Sequence, residues 1–129
     1  MKGKDLIKII KENRLENFKA TVSFIDGYNV FPNVKTINLK GLSDIGVSAQ
    51  TVYLDGELSE LYDTDMKEIL TGDKLIDLIQ SNELEEFLVE VSFETGEYEN
   101  ILPIFNTVKL IELGDIAHSD NMFLLEAEL

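Results

Sequence analysis

The stretch GKDLIKIIKENRLENFKATVSFIDG at residues 3–27 returns at residues 72–96 as GDKLIDLIQSNELEEFLVEVSFETG. The two stretches align without a gap, and 12 of their 25 positions are identical. After a two-residue insertion the similarity resumes, pairing Pro32 with Pro103. A similarity of this length at a fixed spacing indicates the tandem duplication of a unit of about 57 residues.

The duplication predicts the domain organisation. We expect a first repeat over residues 1–58, a linker over residues 59–70 and a second repeat over residues 71–129. One unit alone is so short that it would leave much of its apolar surface in water. The two repeats should therefore share a core around a pseudo-two-fold axis, either by joining their sheets or by stacking their helices.

Each repeat begins with a helical pattern, because its apolar residues recur at helical spacing. The apolar stripes are Leu6, Ile7 and Ile10 in the first repeat and Leu75, Ile76 and Ile79 in the second. Thr71 is the expected N-cap of the second helix. Asn13 and Asn82 stand where the helices should end, and we expect both in the left-handed conformation that asparagine tolerates.

Three strands should follow each helix. The first alternates apolar and polar residues, with Phe18, Ala20, Val22 and Phe24 or Phe87, Val89, Val91 and Phe93 on one face. Asp26-Gly27 and Thr95-Gly96 are expected to turn the chain back into a second strand. Third strands are expected at residues 51–55 and 122–126, with a turn of helix at residues 66–70. The predicted fold class is α+β, two tandem αβββ units, each a helix packed on a small antiparallel sheet.

Composition excludes several classes of protein. The chain of 129 residues has no cysteine, so disulfides and cysteine-based zinc sites are excluded. Its first residues do not resemble a signal peptide, and no apolar run approaches the 18 residues that suggest a membrane span. We therefore expect a cytoplasmic protein without membrane contact.

The net charge of −14 is distributed unevenly. Residues 2–58 hold eight basic and seven acidic residues, whereas residues 71–129 hold two basic and fourteen acidic ones. Direct nucleic-acid binding is not expected, because the basic residues of the first repeat are interleaved with acidic ones. Two copies with such different charge should have diverged in what they bind.

A repeated Asp-Ile-x-x-Ser segment is the first candidate for chemistry. It reads Asp44 to Ser48 in the first repeat and Asp115 to Ser119 in the second. His118 lies too close in sequence to its neighbours for a Ser-His-Asp triad, and we expect capping of a tight connection instead. Asp115, His118 and Asp120 are weak metal-ligand candidates without a spacing rule, so no metal, cofactor or enzymatic activity is predicted.

Apolar residues also occupy the predicted hairpin connections, where polar residues are usual. We interpret them as an arm folded onto the neighbouring repeat or as an exposed contact surface. Tyr28, Phe31, Tyr98 and Leu102 are the residues that would support self-association.

An acidic set follows the second helix and leads to the functional hypothesis. Glu86, Glu90 and Glu94 share the outward parity of the strand, and Glu97 and Glu99 continue beyond it. We expect these residues to bind a protein partner with a basic, nucleic-acid-binding surface. The alternatives are an oligomerisation module and a small-molecule binder with a pocket between the repeats, near Asp44, Asp115 and His118.

The opening KGKDLIKIIKEN at residues 2–13, with the later Asp44-Ile45-Gly46, resembles small uncharacterised proteins of low-GC Gram-positive bacteria and their phages. In that family a similar helix precedes a strand and a later Asp-Ile-Gly-His-Ser segment. This chain divides the late motif, with Gly46 in the first repeat and His118 in the second. The resemblance implies an accessory protein of a mobile element.

Overall fold

In the computed structural model, side chains are described for residues 1–43 and 49–129. Each repeat contributes one α-helix and three β-strands to the part of the chain described. In chain order these are α1 (Gly3–Glu12), β1 (Lys19–Asn29), β2 (Phe31–Ser48), β3 (Thr51–Leu58), α2 (Gly72–Ser81), β4 (Leu88–Glu99), β5 (Leu102–Ala117) and β6 (Met122–Glu128). A 3₁₀ turn at Met66–Glu68 lies in the linker.

The strands form one closed barrel in the order β1-β2-β3-β4-β5-β6. Neighbours within a repeat are antiparallel, whereas the repeats meet through two parallel pairs. Thr51 of β3 lies opposite Leu88 of β4, and Lys19 of β1 lies opposite Met122 of β6. Both edge strands of each repeat are therefore paired with edge strands of the other repeat.

The predicted fold class is wrong. The molecule is mostly strand, 54% of residues against 21% helix, and it has one mixed six-stranded sheet instead of two αβββ units with separate antiparallel sheets. A three-stranded sheet has two open edges, whose unpaired backbone groups and half-covered apolar face are unfavourable. Closure of the barrel removes both edges at once. The repeats were expected either to join their sheets or to stack their helices, and they join their sheets.

The core fills the interior of the barrel and extends under the helices. In β1 and β4 the apolar residues at every second position point inward, as the two-residue period of a strand predicts. Ala20, Val22 and Phe24 of β1 are buried, as are the matching Val89, Val91 and Phe93 of β4.

The helices lie at the end of the barrel where β1 and β4 begin, which we call the helix end. Their predicted apolar stripes are buried in the shared core. Each helix begins against the opposite repeat: the backbone N–H of Gly3 donates to the Phe87 carbonyl, and that of Gly72 donates to the Phe18 carbonyl, both at 2.9 Å. The repeats thus interlock through their helices as well as through their strands.

The helix termini confirm one sequence prediction and correct another. The Thr71 side chain caps α2 by accepting from the backbone N–H of Lys74 at 3.3 Å. Asn13 and Asn82 are not left-handed, since their φ angles are −100° and −101°. Arg14 and Glu83, one residue later, have φ of 56° and 55°.

The hairpin turns also differ from the prediction. Gly27 and Gly96 have positive φ, 77° and 89°, but they lie at irregularities inside hairpins that continue past them. The true turns fall at Val30 and Asn100, with φ of 67° and 59°. We call residues 25–34 the first arm and residues 94–105 the second arm. Both lie at the arm end of the barrel, opposite the helices.

Candidate protein-interaction surface at the arm end

The two arms expose a concentrated set of apolar side chains. Val30 is 92% exposed at the tip of the first arm, and Ile101 is 89% exposed at the tip of the second. The four residues predicted to support self-association, Tyr28, Phe31, Tyr98 and Leu102, are all exposed on these arms. The arms are therefore not folded onto the neighbouring repeat, and an exposed apolar surface of this kind is typical of contact sites.

The arms differ in charge. Asp26 and Lys35 at the base of the first arm form an ion pair at 2.9 Å, and Glu60 of the linker approaches the same ammonium at 3.1 Å. Lys35 donates hydrogen bonds to Asp26 and Glu60. These bonds raise the pKa of Lys35, and the bond to Asp26 has the larger effect. Residues 94–105 contain three glutamates and no basic residue. The second arm is thus both apolar and acidic.

The linker braces the second arm. Leu61 lies against Gly96 so closely that a Cβ on Gly96 would come within 3.0 Å of Leu61 Cδ1. The Tyr62 hydroxyl donates to Glu94, which raises the pKa of Tyr62 to about 12. These contacts fix the base of the arm and leave its tip in solvent.

The predicted acidic set is divided between the two ends of the barrel. Glu86 precedes β4 at the helix end, where it pairs with Lys4 at 3.0 Å and Lys2 at 3.4 Å. Both lysines lower the pKa of Glu86, and the larger effect comes from Lys4. At about 3.3 Å per residue, roughly 35 Å of chain separates Glu86 from Glu97.

Glu90 and Glu94 are half-buried on the outside of β4, and Glu97 and Glu99 are exposed on the second arm. Only Glu94, Glu97 and Glu99 belong to the arm end. The binding role of the five residues stays a prediction, but a single partner contact at the arm would involve these three.

A small cleft of about 220 Å³ lies between the bases of the arms. Phe24 and Phe93, whose ring centroids are 5.2 Å apart, form its floor, and Asp26, Lys35 and Glu97 line its rim. The two rings are only 2% and 3% exposed. Small-molecule sites usually measure about 300–1,000 Å³ and present apolar walls, so the cleft gives little support to a metabolite site.

The pocket predicted near Asp44, Asp115 and His118 is not this cleft. Asp115 and His118 lie toward the helix end, where the His118 ring meets the edge of Phe18 at 5.6 Å. Asp44, with the rest of the first Asp-Ile-x-x-Ser segment, lies outside the described residues. In the second segment Asp115 belongs to β5, and the connection is a 3₁₀ turn at His118–Asp120 followed by left-handed Asn121. The predicted capping by Asp115 is therefore wrong.

Metal ligands do not converge in the described part of the chain, where no group of three or more His, Asp or Glu side chains is arranged to hold an ion. Asp115, His118 and Asp120 do not form such a group. A helix with the length and hydropathy of a membrane span is absent from residues 1–43 and 49–129.

The sequence reading missed two charge clusters on the barrel wall. Lys40 of β2 lies between Glu68 and Glu57, whose hydrogen bonds raise its pKa. Glu112 of β5 lies opposite Glu126 of β6, and a hydrogen bond between the two carboxyl groups raises the pKa of Glu126. Strand register brings Glu112 to Glu126, and the 3₁₀ turn of the linker brings Glu68 to Lys40. Spacing along the chain reveals neither arrangement.

A comparison with protein-family models, curated proteins and solved structures found no match to this chain. Its own geometry is therefore the basis for any functional interpretation.

Proposed function

We propose that this chain is a non-enzymatic, cytoplasmic protein-binding module that docks a basic, nucleic-acid-binding surface of a partner through its second arm. In line with the resemblance given above, it would act as an accessory protein of a phage or another mobile element. The observation that carries this proposal is the second arm itself, an exposed apolar tip flanked by glutamates and braced by the linker.

The apolar tip would supply most of the affinity. Tyr98, Ile101 and Leu102 are all largely exposed, and burial of one such side chain contributes about 1.5–3 kcal/mol. Each would strengthen binding by about tenfold or more. A partner surface must therefore contain an apolar groove.

The glutamates would select the partner and accelerate its approach. Glu97 and Glu99 flank the tip and have no basic residue on the same arm. Charge at the rim of an interface raises the association rate and disfavours acidic partners. A groove bordered by lysine or arginine complements this arm, whereas a second acidic arm does not.

A defined peptide tests the proposal. The probe is a fluorescent peptide that alternates lysine with leucine, and its dissociation constant is measured by anisotropy over a salt series. Glu97→Gln combined with Glu99→Gln should weaken binding by about tenfold at low salt, with a smaller loss at high salt. Ile101→Ser should weaken binding at every salt concentration.

The matched control combines Glu12→Gln with Glu83→Gln, which removes the same charge from exposed sites at the helix end. This control should bind like the parent protein. Equal loss in the control, or a dissociation constant that does not change with salt, would refute docking by the second arm.

A further inference from the structure

The linker fills one of two equivalent positions beside the mouth of the barrel. It follows β3, which lies between β2 and β4. The backbone N–H of Ser59 donates to the Thr36 carbonyl of β2 at 2.9 Å, and Leu61 packs on Gly96 of β4. We call the space that residues 59–62 occupy between β2 and β4 the first slot.

The duplication creates an equivalent space on the opposite side. β6 lies between β5 and β1, just as β3 lies between β2 and β4. β5 pairs with β4 in the same register as β2 with β1, so Thr107 stands where Thr36 stands in the first repeat. Gly27 of β1 corresponds in the same way to Gly96 of β4. We call the space beyond β6, between β5 and β1, the second slot.

The second slot is open to solvent where the first slot is covered. Among the described residues, no atom lies within 4 Å of a Cβ built on Gly27, whereas Leu61 covers Gly96. The duplication also pairs Leu58, at the end of β3, with Leu129, next to the end of β6. Leu58, whose carbonyl accepts hydrogen bonds from the linker, is 1% exposed, and Leu129 is 54% exposed. The second slot therefore presents to solvent a leucine and a glycine whose counterparts are covered in the first slot.

The backbone of β5 can receive a chain that enters the second slot. In the first slot the linker begins with a hydrogen bond to the carbonyl of Thr36. The matching register directs the carbonyl of Thr107 toward the second slot. The N–H of Thr107 donates to the side chain of its neighbour Asn106 at 2.9 Å. An incoming N–H can therefore pair with the Thr107 carbonyl, the kind of main-chain contact by which sheet edges bind peptides.

Two side chains differ between the slots, and they define the chemistry of the second one. The ammonium of Lys35 pairs with Glu60 of the linker in the first slot, and Asn106 takes the place of Lys35 in the second. Glu94 accepts a hydrogen bond from the linker tyrosine, and Ile25 takes the place of Glu94. The second slot thus has an amide and an alkyl group where the first has two charges. An uncharged chain complements these groups, whereas a buried charge would find no partner among them.

We propose that the second slot is a docking site for an uncharged, leucine-containing peptide segment of a partner protein. The leucine packs on Gly27, as Leu61 packs on Gly96. An amide side chain before the leucine meets Asn106, and an aromatic ring after it packs on Ile25. This inference goes beyond the proposed function, because it assigns a second site whose ligand is uncharged instead of basic.

A defined peptide tests the proposal. The probe is the fluorescent peptide Gly-Ser-Gln-Leu-Phe-Gly, blocked at both ends, which follows the order of linker residues 59–62 with the two changes that the second slot requires. Anisotropy should show saturable binding that salt changes by less than about twofold, because no charge pair forms. Alanine in place of the peptide leucine should weaken binding by about tenfold. Absence of saturation at millimolar peptide, or equal binding of the alanine peptide, would overturn the proposal.

Substitutions in the protein locate the site. Ile25→Ser should weaken binding severalfold, whereas the matched control Ile111→Ser, on the outside of β5, should bind like the parent. The two isoleucines are similarly exposed, 44% and 47%, so neither change should disturb the core. Gly27→Asn places a side chain where the leucine packs and should weaken binding by about tenfold, since asparagine tolerates the positive φ of this position. Unchanged binding in Ile25→Ser, or equal loss in the control, would contradict docking in the second slot.

A covalent extension separates this site from the second arm. A chain extended after Leu129 by Ser-Gln-Leu-Phe should fill the second slot from within the molecule, because tethering gives a millimolar effective concentration. The free peptide should then bind at least about tenfold more weakly, while an extension by Ser-Gln-Ala-Ser should not compete. The lysine–leucine peptide should bind both extended chains equally, since its docking uses Glu97, Glu99 and Ile101. Its loss in the first extended chain would show that the sites overlap and would refute a separate slot, whereas failure of the uncharged peptide alone leaves docking by the second arm intact.

Discussion

At the scale of single residues, Gly3 and Gly72 have the same structural task. A Cβ on Gly3 would collide with the carbonyl oxygen of Leu84, and one on Gly72 would collide with that of Leu15. Both oxygens belong to the turn that follows the helix of the opposite repeat. The identity of the two glycines in the duplicated sequence therefore reflects close contact between the repeats.

Gly72→Ala should destabilise the fold by about 1–3 kcal/mol, because the backbone of the opposite turn must move to admit the methyl group. Gly41→Ala is the matched control, since no atom lies within 4 Å of a Cβ built there. Urea unfolding of the two variants measures the difference. Equal midpoints would show that the helix start tolerates a side chain, against the close contact described here.

The carboxyl pair of Glu112 and Glu126 should make stability depend on pH. The protonated Glu126 carboxyl group donates a hydrogen bond to Glu112, and this bond, together with desolvation and the charges of Glu112 and Asp115, raises the pKa of Glu126. The folded state thus binds a proton at Glu126 more tightly than the unfolded state does. Acidification from above the raised pKa down to the ordinary value near 4.5 should accordingly favour folding at this site.

Glu126→Gln, which imitates the protonated form, should therefore raise Tm at pH 7, and this gain should shrink as the pH falls toward 4. Glu99→Gln removes the same charge from an exposed position on the second arm and serves as the control. Thermal melts between pH 4 and pH 8 provide the measurement. A gain from Glu126→Gln that is independent of pH would indicate a cause other than titration of this pair.

At the scale of elements, the periodicity of the sequence located both helices and the starts of the third strands at Thr51 and Met122. It placed the hairpin turns too early, because Asp26-Gly27 and Thr95-Gly96 are residue pairs of the kind found in turns. Positive φ at glycine serves a strand irregularity equally well. Because each hairpin continues past its glycine, it extends into an arm with an exposed tip. The local sequence does not distinguish a glycine in a turn from a glycine in a strand irregularity.

The bracing of the second arm gives an element-scale prediction. Leu61→Ala removes the side chain that packs on Gly96, so the second arm should open more often. Backbone hydrogen exchange within residues 94–105 should accelerate, while exchange within residues 25–34 stays unchanged as an internal control. Equal acceleration in both arms would mean that the linker supports the barrel as a whole.

At the scale of the whole molecule, the duplication predicted a shared core, yet the closed barrel could not be inferred from it. The pairs that join the repeats, Thr51 with Leu88 and Lys19 with Met122, are parallel contacts between distant segments. No turn residue marks such a pair, whereas a hairpin is marked by its connection. The excess of acidic residues in the second repeat was visible in the sequence. Which of these glutamates lie at the helix end and which on the second arm depends on where β4 begins.

Barrel closure predicts that neither repeat folds by itself. Residues 1–63 and 64–129 can be produced as separate fragments, since the chain between Asp63 and Thr64 lies outside the helices and strands described. Each fragment has two unpaired sheet edges and a half-covered core, so each alone should give the circular dichroism of an unfolded chain. Mixed at equal concentration they should form a 1:1 complex with a cooperative melt.

The unequal charge of the repeats makes this mixed complex the favoured product. The second repeat holds fourteen acidic and two basic residues, so two copies of it repel strongly, whereas the first repeat is nearly neutral. Sedimentation of each fragment and of the mixture distinguishes the species. A cooperative melt from either fragment as a monomer would show that a repeat is an independent domain, and the joined parallel edges would then not be what holds the molecule together.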